Sequence, residues 1–161
     1  MRNHKVIDEF STLVNPLCKI PRFITKLTGI DDDMVKDAPN ARKAIPLFTN
    51  FLDDDPFVAH NAWFDYGFLN ANSMKYDDKS LTNDVICTCK LARRLLPELP
   101  SKKLGYVCDH LDIKNERAHR AMGDARATAM VFSRFMKMLD EKGINKHEDM
   151  MKVVNNRIKI S

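Results

Sequence analysis

Several features are missing from this chain, and each absence narrows what it can be. No run approaches the roughly 18 consecutive apolar residues of a membrane helix, and the basic start from Arg2 to Lys5 is not followed by a secretory hydrophobic region. A cytoplasmic protein is expected. Cysteine is sparse: Cys18, Cys87, Cys89 and Cys108 are the only four in 161 residues, which reads as reduced thiols and not as a disulfide framework. Cys87-x-Cys89 and Cys108-x-His110 together offer four zinc donors, but each pair has one intervening residue where structural sites use about two to four. Small residues of a core are the better reading. There is no internal repeat, low-complexity tract or linker, so residues 1–161, 44% hydrophobic and 30% charged, make one domain.

What charge there is leans basic, with a formal net +4 and a pI near 8.9. Its distribution says more than its sum. Arg93, Arg94, Lys102, Lys103, Lys114, Arg117 and Arg120 lie in the second half, whereas Asp31 to Asp33 and Asp53 to Asp55 lie in the first. A nucleic-acid face in the second half and a merely solvated surface both fit this pattern.

The order of elements follows from periodicity and punctuation. Residues Lys5 to Val14, rich in β-branched and aromatic side chains and ended by Asn15-Pro16, read as a strand. Pro21 opens a short helix that Gly29 stops, and Asp31 to Asp33 cap the next one through Met34 and Val35. Ala44, Ile45, Leu47, Phe48, Phe51 and Leu52 recur with helical spacing, and Asp53 to Pro56 ends that helix. Phe57 to His60 suits a buried parallel strand. Asn61 then caps a helix from Ala62 to about Met74 with Phe64, Phe68 and Leu69 as its buried stripe. Val85 and Ile86 mark a second strand, Leu91 to Leu96 a helix stopped by Pro97, and Ser101 the cap of a helix carrying Leu104, Val107, Cys108 and Leu111. A long helix runs from near Ala121 to Leu139 and stops at Gly143, with a last helix around Met150 to Val154. Alternating strands and helices imply an α/β domain with a mainly parallel sheet.

Two constellations could carry chemistry. In the first, the apolar run Val58 to His60 leads into a helix whose opening turn holds Asp65, placing a carboxylate at the carboxyl end of a parallel strand, where ligands gather. In the second, His119 precedes the long helix and Asp124 lies in its opening turns, so a neutral imidazole able to take a proton from water precedes a ligand for a hard cation. Ala121, Ala125 and Ala129 would let that helix approach the sheet closely.

The run His60-Asn-x-x-Phe64-Asp65-x-x-Phe68-Leu69 resembles the second motif of the DnaQ-like (DEDDh) 3′-5′ exonucleases, and His119-Arg-Ala-x-x-Asp124-Ala125 the third. Phe10 to Pro16, Lys26-Leu-Thr-Gly-Ile30, Ala38-Pro39 and Leu91-Ala-Arg-Arg-Leu-Leu-Pro97 are similar to the exonuclease domain of bacterial DNA polymerase III, of epsilon or PolC type. The resemblance spans Val6 to about Met138. It implies a ribonuclease H-like exonuclease fold, a mixed, mainly parallel sheet flanked by helices. It also implies two divalent ions, Mg²⁺ or Mn²⁺, that remove nucleotides from 3′ ends in proofreading or repair. Carried over by position, Asp65 and Asp124 are metal ligands, His119 is the general base, and Thr28, Gly29, Ile30, Asn61 and Phe64 hold the terminal nucleotide. The implied partners are a nucleic-acid 3′ end, DNA before RNA, and a DNA polymerase subunit.

The family's first motif, an Asp-x-Glu pair on an opening strand, has no counterpart. Asp8-Glu9 cannot replace it, because adjacent strand residues point to opposite faces, and both read as surface decoration. The fold is therefore expected without its first strand, with a weakened metal site and weak or no turnover. An exposed sheet edge would be open to pairing with a second copy. A catalytically silent nucleic-acid-binding or polymerase-associated module of the same fold is the alternative.

Overall fold

A computed structural model describes Met1, residues 5–115 and residues 121–158. The chain begins with three short helical segments, α1 (Arg22–Thr28), α2 (Asp32–Val35) and α3 (Ala41–Leu52), whose ends follow the local chemistry. Pro21 precedes α1, and Gly29 closes it in the left-handed conformation, φ 68°, with its N–H donating to the Thr25 carbonyl at 2.7 Å. The Asp31 carboxylate caps α2 by accepting from the Met34 N–H at 2.9 Å, while Asp32 accepts from Ile20 N–H at 2.8 Å. Asn40 caps α3, and Asp53 ends it with φ 47°.

After this come β1 (Phe57–Ala59), α4 (Ala62–Tyr76), β2 (Val85–Cys87), α5 (Thr88–Leu95), α6 (Leu104–His110), α7 (Ala121–Glu141) and α8 (His147–Val154). The strands pair in parallel, Phe57 opposite Val85 and Ala59 opposite Cys87, with α4 as the crossover. The expected α/β architecture is therefore present as a small parallel sheet flanked by helices. Asn83 locks its entry by donating to the carbonyls of Asp53 and Asp55 at 2.7 and 2.8 Å.

Two apolar clusters hold these layers. The larger joins Ile86, Leu91, Leu95, Val107, Cys108, Ala127, Val131, Phe135, Leu139, Met150 and Val153, so that α5 to α8 close over one face of the sheet. The smaller joins Phe57, Ala62, Val85 and Cys87 with Phe48, Leu52, Tyr66 and Leu69, seating α3 and α4.

Several sequence expectations need correction. Residues 6–14 form no strand: β-rich sequence becomes strand only where a neighbour completes the hydrogen-bond ladder. This segment is held instead by ring packing and by a backbone hydrogen bond at its end. Phe10 packs on Phe48 and Phe51 at 6.1 and 5.6 Å, and Asn15 N–H donates to Pro39 O at 2.9 Å. Glu9 is on the surface, as expected, where its carboxylate takes a two-pronged hydrogen bond from the exposed Arg126 at 2.7 and 2.6 Å. Along α4, Phe64 and Phe68 are exposed, because the packed side is Ala62, Tyr66, Leu69 and Ser73. Positions 64 and 68 each lie two residues, about 200° of helix, from 62 and 66. Likewise α7 packs through Ala127, Thr128 and Val131, leaving Ala121 and Ala125 exposed. Ser101 is not the cap of α6; Lys103 occupies that position, and the Ser101 hydroxyl accepts from the Lys103 N–H at 3.4 Å.

Candidate active site

The first carboxylate is placed by a strand, a turn and a helix. The extended, apolar β1 ends at Ala59, and Asn61 takes the left-handed conformation at φ 67° and ψ 44°, which asparagine tolerates better than most residues. The chain thereby turns into α4 with Asp65 in its first turn. Asn61 makes no side-chain capping bond, a departure from its expected role, because the left-handed backbone leaves the usual cap geometry. Asp65 is exposed, yet the protein around it removes enough water to raise its carboxyl pKa, against the lowering effect of a backbone hydrogen bond. A cation bound there would relieve that penalty.

His60 fixes the turn, a role that the sequence reading did not assign. Its Nε2 lies 2.7 Å from the Lys102 carbonyl and its Nδ1 3.0 Å from the Thr88 hydroxyl. A carbonyl only accepts, so Nε2 carries the proton and Nδ1 of the neutral ring accepts from Thr88. Burial lowers the ring's pKa, with the Lys102 carbonyl pulling the other way. The end of β1, the start of α5 and the approach to α6 thus meet at one imidazole.

The second carboxylate, Asp124, lies in the first turn of α7 and is half-buried. Asn115 Nδ2 donates to its Oδ1 at 2.9 Å. Its charge also reaches α6: the Cys108 thiol pKa is raised by burial first, then by Asp109 and Asp124. Both α4 and α7 pack against β1, so a single strand underlies the two helices that carry Asp65 and Asp124. Their carboxylates are hard oxygen donors, suited to a magnesium-like ion that takes one or two protein carboxylates and completes its shell with water and phosphate. Among the described residues, no group of three or more His, Cys, Asp or Glu side chains converges on one point. That holds also for Cys87, Cys89, Cys108 and His110, which form no zinc cluster. His119 lies outside the described residues.

The expected nucleotide-holding residues occupy separate places. Thr28 and Ile30 line an apolar cleft of about 400 Å³ together with Leu13, Val14, Ile20 and Ile24. Within it the Thr28 hydroxyl donates to Ile24 O at 2.8 Å and accepts from Ile30 N–H at 3.2 Å. Asn61 and Phe64 stand outside this cleft; Phe64 is 77% exposed and presents its ring to solvent. Sequence reasoning also missed Asn115, which sits in an irregular connection without any periodic signal.

Comparison with known proteins adds a family, two relatives and a solved structure. The model of the exonuclease family (RNase_T) matches residues 1–132. A PolC-type DNA polymerase III of Caldanaerobacter subterraneus is 39% identical over 157 residues, 98% of this chain and 11% of that protein. The corresponding protein of Clostridium perfringens is 42% identical over 146 residues, 90% of this chain and 10% of that protein. The chain thus spans about a tenth of the length of these curated relatives. Among solved structures, exonuclease X in complex with 5′ overhanging duplex DNA superposes with a TM-score of 0.72 at 25% identity, covering 94% of this chain and 84% of the other.

Proposed function

We propose that this chain, which belongs to the exonuclease family, is a metal-dependent 3′-5′ exonuclease of the DEDDh type that hydrolyses DNA from its 3′ end in proofreading or repair. The observation that carries this reading is Asp65 in the first turn of the helix that leaves the carboxyl end of β1, paired with Asp124 in the first turn of a second helix packed on the same strand. When bound, Mg²⁺ or Mn²⁺ would supply an activated water and charge neutralisation at the phosphate. Asp65 and Asp124 hold the ion, and Asn115 orients Asp124 through its amide. His60 keeps the β1–α4 turn in one geometry, so that Asp65 does not wander. His119 takes the proton from the attacking water. Thr28, Gly29 and Ile30 seat the terminal nucleotide on the apolar cleft, with the exposed Phe64 ring and Asn61 contributing from α4. On this reading the chain works in the cytoplasm beside a DNA polymerase subunit, and the outer edge of β1 is open to a second copy.

A second reading, a silent nucleic-acid-binding or polymerase-associated module, is favoured by one observation: the described residues gather no third metal ligand. A 5′-labelled single strand incubated with Mn²⁺, with and without chelator, separates the two. Shortening that needs the metal and disappears in Asp124→Ala is expected for the exonuclease. Binding without shortening would select the module.

A further inference from the structure

Trp63 is the chain's single tryptophan, and the residue remains 54% exposed although its ring is in contact with neighbours. Tyr66 meets it edge-on at 6.4 Å, and Tyr66 itself is anchored by its hydroxyl to Leu81 O at 2.7 Å and by its ring to Phe57 at 5.6 Å. The Lys90 ammonium lies 5.2 Å from the indole centroid. One turn along α5 comes Arg93, which faces Cys89 together with Lys102. Lys90, Arg93 and Lys102 have no carboxylate within ion-pair distance among the described residues, so their charges are not offset locally. A rigid exposed ring beside unneutralised cations has the chemistry of a single-strand binding surface, in which aromatic faces stack on bases and cations track phosphates.

We infer that Trp63, Lys90 and Arg93 form a track for a single-stranded nucleic acid, with one base on the indole and the backbone phosphates on the two cations. The inference rests on the exonuclease reading and gives that site its substrate path. Trp63 and Asp65 leave the first turn of α4 on opposite flanks, so the strand crosses the start of this 15-residue helix, where unpaired N–H groups favour phosphate. That crossing is about one helix diameter, roughly 10–12 Å. A 3′ end at Asp65 therefore places the preceding nucleotides over the indole and α5.

The lone indole makes the test direct. The full chain is titrated with a short oligothymidylate while tryptophan fluorescence is followed, and affinities are measured by anisotropy of a labelled strand at several salt concentrations. Binding is expected to quench Trp63. The Lys90→Gln/Arg93→Gln double variant should flatten the dependence of log K on log salt by about 1.4, two contacts at about 0.7 each for single strands. Trp63→Ala should weaken binding about tenfold while Trp63→Phe keeps most of it, and circular-dichroism melts identify any variant that has lost its fold. Unquenched binding, or an unchanged salt slope in a folded double variant, overturns the track and identifies the cations as merely solvated. If the unaltered chain shortens DNA in Mn²⁺ while the track variants bind as it does, only this inference falls. If the unaltered chain binds no oligothymidylate even at low salt, the exonuclease reading falls with it.

Discussion

Residues 88–154 and residues 5–52 are built to different standards. In the former, Leu91, Val107, Val131, Phe135, Leu139 and Val153 are fully buried, and four helices share one core. In the latter only Val35 and Ala44 are buried apolar residues, while Val6, Ile7, Leu17, Phe23, Leu27, Leu47 and Phe51 are exposed. Asp124 belongs to the first region, and the Thr28–Ile30 cleft belongs to the second. A metal ligand needs a fixed position, which dense packing provides. On the proposed reading the cleft admits and releases a nucleotide, a task suited to a segment with few buried contacts, where local opening costs little.

The largest expected effect breaks this comparison if it fails. Phe135→Ala should cost about 3–5 kcal/mol of stability, and Phe23→Ala, on exposed α1, no more than about 0.5 kcal/mol. Urea unfolding curves check both, and similar costs would erase the distinction. An intermediate effect is expected at His60, between the two regions: His60→Ala strands the Lys102 carbonyl and leaves the Thr88 hydroxyl only its longer bond to Ala59 O at 3.3 Å, a loss of about 1–3 kcal/mol. The pH dependence has a definite sign. The folded-state pKa of His60 lies below its ordinary value of 6.5, so the folded chain holds fewer protons than the unfolded one between the two values. This part of the stability is complete above about pH 6.5 and is lost as pH falls through the folded pKa. Melting temperatures of the unaltered chain and of His60→Gln across pH 5 to 7.5 should converge towards low pH; parallel curves would show that the imidazole is not the clamp.

Much of this organisation was legible in the sequence wherever the signal is local. Gly29 after α1, Asp31 before α2 and the long α7 each depend on neighbours within a few residues, and they stand where expected. The 6–14 segment was misread because a strand is defined by its partner, and composition carries no record of one. On α4 the apolar rings of Phe64 and Phe68 suggested a core face. The space against α3 and the sheet instead takes Ala62 and Ser73, which only tertiary packing decides. In the candidate site, the places of Asp65 and Asp124 in first helical turns were legible because each follows a recognisable helix start, while their metal role came only from the motif resemblance. The His60 clamp spans 42 residues to Lys102, and the Lys90–Trp63 contact joins two helices, so neither leaves a local trace.

The central claim is that Asp65 and Asp124 serve one divalent cation. Manganese titration followed by electron paramagnetic resonance, which reads the free ion, tests it without requiring turnover. The unaltered chain is expected to take up Mn²⁺, and Asp65→Ala and Asp124→Ala should each weaken that uptake by about tenfold or more. Manganese uptake unchanged in either folded variant would contradict the claim.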